Sequence, residues 1–219
     1  MPGEAYRVEV SALGFESVYA ETVIPSLVPM VNVEIERVAV RKPSGNFGDE
    51  IQSRSIKTFN DPPDENNFYE VVLSSVGNEF NPIYFHHSTS SNPFITSEPY
   101  YPNPLSENVF YPRTLLFSGN SFKGQECKVV LFYRPSRRTI EVDGSWVTLL
   151  PADILSAQLK NVSEDYYRHY TTLYHARQVR LENALFGSTE PIIVYSNVTN
   201  GFGLFSGFYP SIARLSRLR

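Results

Sequence analysis

Val31-Asn32-Val33-Glu34-Ile35-Glu36 alternates apolar with polar or charged residues. A period of two is the pattern of a strand with one face on a core and the other in water. It predicts a strand over 31–40. The same period opens the chain, where Tyr6, Val8, Val10 and Ala12 alternate with Arg7, Glu9 and Ser11. That predicts a strand over 5–12. Gly14 marks a turn, and 17–24 reads as the returning strand of a hairpin. Pro25 and Pro29 then interrupt the ladder, because proline has no N–H to donate. We place a boundary there. Residues 1–28 read as the terminal strands of one β unit, and 29–219 as a second.

Further strands are expected at 53–59, 68–74, 81–87 and 127–134, with Leu115-Leu116-Phe117 leading to a turn at Ser118-Gly119-Asn120. Residues 139–150 read as one strand or as a tight pair turning at Asp143-Gly144, a favoured hairpin dipeptide. Ile192 to Val198 is expected as a final strand. One helix is expected, over 164–184. Ser163 can cap its first turn. Glu164 and Asp165 suit the positive end of the helix dipole, and Arg177 and Arg180 lie later, where cations are favoured. Tyr166, Tyr170, Leu173, Tyr174 and Leu181 recur at helical spacing, and Gly187 lies just past the end. The fold class is therefore mostly β, an antiparallel sandwich with one long helix packed on it.

Composition agrees. Among 219 residues, 42% are apolar and 19% charged, an ordinary globular balance in a chain long enough for a core without disulfides or metal. The 15 Phe and 14 Tyr beside one Trp, with 16 Pro between apolar runs, suit an all-β chain. The net charge of −4 without a basic run argues against nucleic acid as partner. Cys127 is the only cysteine, which excludes an internal disulfide or a cysteine-based zinc site. It is expected as a packed thiol in a strand. No stretch is long and apolar enough to span a bilayer as a helix, and no signal peptide is legible. The chain enters a strand almost at once, which reads as a trimmed beginning rather than as a sign of a cytoplasmic home.

Catalytic patterns are missing. There is no nucleophile elbow, Walker loop or dinucleotide fingerprint, and no enzyme activity or cofactor is expected. Gly201, Gly203 and Gly207 follow a predicted strand but precede no helix, so they do not read as a phosphate cradle. His86 and His87 are neighbours on a predicted strand and point to opposite faces. His169 and His175 are six apart on the helix, not the spacing of a helical metal pair. The acidic loop Asp61, Asp64, Glu65, Asn66 and Asn67 offers oxygens that calcium would accept, but without an EF-hand spacing, and a turn is the plainer reading. Residues 88–113 hold five prolines and read as a long irregular loop. Its Tyr100, Tyr101 and Tyr111 are either packed in place or form a binding surface for a glycan or peptide.

Four stretches point further. Asp61-Pro62-Pro63 followed by Glu65-Asn66-Asn67-Phe68-Tyr69 resembles an Asp-Pro-…-Glu-Asn-Tyr-Tyr signature. Phe117-Ser118-Gly119-Asn120-Ser121-Phe122-Lys123-Gly124 resembles Phe-Ser-Asp-x-x-Phe-Asn-Gly, with Gly119 where that pattern has Asp. Val162-Ser163-Glu164-Asp165-Tyr166-Tyr167-Arg168-His169-Tyr170 resembles Ile-Ser-x-Asp-Tyr-Tyr-Arg-Tyr. The longest is Glu190-Pro191-Ile192-Ile193-Val194-Tyr195-Ser196-Asn197-Val198-Thr199-Asn200-Gly201-Phe202-Gly203-Leu204-Phe205. In this order, and over nearly the whole chain, they resemble the Bacteroidota family catalogued as domain of unknown function 4249.

The resemblance implies an outer-membrane lipoprotein whose partner is a TonB-dependent receptor. Membrane attachment would come only through an N-terminal lipid anchor, which is missing from this chain. It implies no catalytic residues. Structural roles are expected for Asp61 and Asn67 in a turn, for Ser163 as a cap, and for Asn197, Asn200 and Gly201 in a late turn or bulge. The expected function is a non-enzymatic accessory to such a receptor in nutrient uptake. The other reading is a stand-alone glycan- or peptide-binding module that uses loop 88–113.

Overall fold

The computed structural model describes residues 2–41, 49–75, 78–82, 85–90, 114–133, 138–142, 145–149, 154–186 and 192–216. In chain order these form β1 (Ala5–Val10), β2 (Val18–Val23), β3 (Met30–Arg41), β4 (Asp49–Asn60), β5 (Phe68–Ser75), β6 (Asn78–Pro82), β7 (Phe85–Ser90), β8 (Thr114–Ser118), β9 (Glu126–Tyr133), β10 (Arg138–Val142), β11 (Ser145–Leu149), β12 (Ile154–Val162), helix α1 (Glu164–Phe186) and β13 (Phe208–Ser216). Every pairing among the strands is antiparallel.

Two sheets make the body. One runs β3-β4-β9-β7. The other runs β13-β12-β5-β6, with β8 sharing the outer edge of β5 with β6. The period of two explains how they meet. Tyr69, Val71 and Leu73 of β5, Leu115 and Phe117 of β8, and Ala157 and Leu159 of β12 face inward. They meet Phe59 of β4 and Cys127, Val129 and Leu131 of β9 in one core. Phe59, Tyr69, Phe117 and Phe122 form an aromatic cluster there, with Phe59 and Tyr69 ring centroids 4.9 Å apart. That is the sandwich the alternation implies.

The β5 sheet is covered on its other face too. Phe68, Leu116 and Val162 pack beneath α1 against Tyr166, Tyr167, Tyr170 and Tyr174. A strand buried on both faces reads as a near-continuous apolar run, and Phe68-Tyr69-Glu70-Val71-Val72-Leu73 does so apart from Glu70. Glu70 is buried, and its carboxylate is met by the Lys160 ammonium at 2.7 Å. A buried charge is tolerated when it is paired in this way. Helix α1 starts as its cap demands: Ser163 Oγ accepts the Tyr166 N–H at 3.3 Å.

Several expectations need correction. Residues 192–198 form no strand: their hydrogen bonds go to side chains of α1, to the Glu21 carbonyl of β2 and to their own loop. The single strand expected at 81–87 is two strands, β6 and β7, on different sheets. Strands β12 and β13 fall outside every expected strand. Of the two readings of 139–150, the hairpin holds, as the pair β10–β11. Among the described residues strand β1 pairs only with β2, and the hairpin is stitched onto the body by the chain around Thr199.

Candidate functional site

The quoted signatures meet at two places. The first is the crossing from β4 to β5, residues 61–67. The Asp61 N–H donates to the Gln125 carbonyl, and the Gly124 N–H donates to the Asp61 carbonyl, both at 3.1 Å. The Asp61 carboxylate accepts the Tyr69 hydroxyl. The Asn161 amide donates to Asn67 Oδ1 at 2.7 Å and to the Ser26 carbonyl at 2.9 Å. The Gly119 N–H donates to the Asn67 carbonyl at 2.8 Å. The Asp61 and Asn67 side chains thus tie the crossing to Tyr69 of β5 and to Asn161 of β12.

This knot explains Gly119. A Cβ there would lie 2.7 Å from Asp61 Oδ1, 2.9 Å from Tyr69 Cε2 and 3.1 Å from the Asn67 carbonyl. Only glycine leaves room for that approach. Burial pushes the Asp61 carboxyl above its ordinary range, against the hydrogen bond from Tyr69. Burial, then the bond to Asp61, pushes the Tyr69 hydroxyl far upward, so it stays a neutral donor.

The knot is a poor cradle for calcium. Asp61 Oδ1 serves Tyr69, Glu65 Oε1 serves Ser26 at 3.3 Å, and Asn66 Oδ1 accepts from the Lys123 ammonium. Three atoms, Asp61 Oδ2, Asn161 Oδ1 and Asn67 Nδ2, are buried without a hydrogen-bond partner, and one of them is a donor. A hard cation wants oxygens alone. No cluster of three or more His, Cys, Asp or Glu suited to a metal occurs among the described residues.

The second place is the segment 192–207, which fastens the β1–β2 hairpin to α1. Tyr195 is the clamp. Its N–H donates to Thr172 Oγ1 at 2.9 Å, and its hydroxyl donates to Asp165 Oδ1 at 2.5 Å. His169 Nδ1 lies 2.7 Å from its carbonyl and must carry the proton. The Arg168 guanidinium stacks 4.2 Å from its ring centre. Positions 165, 168, 169 and 172 form a helical stripe, distinct from the tyrosine stripe that faces the sheet.

Beyond Tyr195, side chains replace a ladder. Asn197 accepts the Phe205 N–H at 3.0 Å and donates to the Phe205 carbonyl at 2.7 Å. Ser196 Oγ accepts the Val198 and Gly203 N–H groups at 3.2 and 3.1 Å. Thr199 pairs with Tyr19, its N–H donating to the Tyr19 carbonyl at 2.8 Å. Asn200 sits in the left-handed region, φ 58°, and donates to the Ser17 carbonyl at 3.3 Å. Gly201 rests where a Cβ would meet Val198 at 3.0 Å and Val18 at 3.2 Å.

These bonds place two loop tips side by side. One carries Leu13 and Phe15, which are 103% and 80% exposed, and the other carries Phe202, 72% exposed. These are among the most exposed large apolar side chains of the described residues. Tyr100, Tyr101 and Tyr111 lie outside the described residues. Cys127 is fully buried, as a packed thiol should be.

Sequence reasoning does not single out Tyr69, Asn161, Tyr195 or Lys57 for these roles. Lys57 has a signal: it lies two residues before Phe59, hence on the inward face of β4. It is wholly buried, and burial lowers its pKa to about 7.

No described helix is long and apolar enough to cross a membrane. Neither a curated protein nor a solved structure matches the chain. One family profile does, over residues 1–211, and it covers both constellations. The chain belongs to the family described as domain of unknown function (DUF4249).

Proposed function

We propose that this chain is a non-enzymatic part of an outer-membrane lipoprotein that assists a TonB-dependent receptor in nutrient uptake, held to the membrane by a lipid anchor. The observation that carries this reading is what the signature residues are used for. Asp61 Oδ1, Asn67 Oδ1, Ser163 Oγ, Ser196 Oγ and the Asn197 and Asn200 amides meet backbone groups and neighbouring side chains. Polar groups engaged in this way build a scaffold, whereas reactive groups stand where a substrate can meet them. What that scaffold holds outward is apolar: Leu13, Phe15 and Phe202. Exposed aromatic and aliphatic anchors suit protein association.

The test is affinity purification of the tagged full-length protein from solubilised outer membranes, with mass spectrometry of what accompanies it. The reading expects one TonB-dependent receptor in near-stoichiometric amount. A variant with Phe15→Ser and Phe202→Ser should keep its melting temperature and recover much less of that receptor. If both forms bring down nothing under conditions that preserve other receptor complexes, the accessory reading fails.

A further inference from the structure

We draw no further inference here: the strongest candidate, the surface patch of the β1–β2 hairpin that carries exposed Val8 and Val10, is an apolar face, and nothing among the described residues shows what covers it.

Discussion

Lys57→Met tests the core directly. Lys57 is wholly buried on the inward face of β4, between Val33 and Val129 in register, and its folded pKa is lowered from 10.5 to about 7 by desolvation. Between those values the unfolded chain holds a proton that the folded chain has released. The unfolded state therefore binds more protons, and stability must rise with pH across this window. The rise approaches about 1.4 kcal/mol per pH unit in mid-window, or about 2 kcal/mol between pH 7 and 9. With a urea m-value of about 2 kcal/mol/M, the wild-type midpoint should climb by about 1 M over that range. Methionine has a similar length and no proton to exchange. The comparison is urea unfolding of both proteins at pH 7, 8 and 9, so that other groups titrating in the window cancel. The gap between the two curves should narrow, or reverse in favour of the wild type, by about 2 kcal/mol as pH rises. Parallel pH dependences would refute the assignment of a neutralised lysine to this core.

Four other outcomes follow from the same contacts. Gly119→Ala should destabilise by about 2 kcal/mol or more in chemical denaturation, because the new methyl meets Asp61 and Tyr69 in a closed space. Tyr69→Phe should destabilise by about 1–3 kcal/mol, since it leaves the buried Asp61 carboxyl without its donor; combining it with Asp61→Asn should recover part of that loss. Cys127 should resist a thiol reagent in the folded protein and react at the rate of unfolding, because its sulfur is sealed in the sandwich. Phe15→Ser with Phe202→Ser should leave the unfolding free energy within about 0.5 kcal/mol of the parent, both sites being at the surface, while reducing partner recovery.

The parts of the fold legible in the sequence were those with a local cause. Residues 31–36 alternate, and the strand expected over 31–40 is β3. Ser163 before Glu164-Asp165 predicts a helix start, and α1 begins at Glu164. Asp61 and Asn67 were legible as polar residues between two strands. Their partners were not, because Asn161 lies 94 residues from Asn67 and 135 from Ser26, and no local pattern encodes that meeting. Strand β12 had a signal in Leu155, Ala157 and Leu159, weakened by a small residue and by Ser156, Gln158 and Lys160 between them. Strand β13 contains Pro210, which argues against a strand except at a sheet edge, and the edge is where it lies. The opposite error occurs at 192–198. Its β-branched residues have strand propensity, but its neighbour is α1, so Thr172 and His169 take up the backbone groups of Tyr195 that a strand partner would have met. Propensity reports what a segment tolerates, and the element beside it decides what it becomes.

The most direct measurement is quantitative recovery of a TonB-dependent receptor with the tagged full-length protein from solubilised outer membranes, comparing the parent with the Phe15→Ser, Phe202→Ser variant. The account expects one receptor at near-equal amount with the parent, and at least a several-fold loss with a variant whose melting curve is unchanged. Recovery of the parent alone would contradict the accessory role, and equal recovery by both proteins would contradict the assignment of the paired tips as the contact.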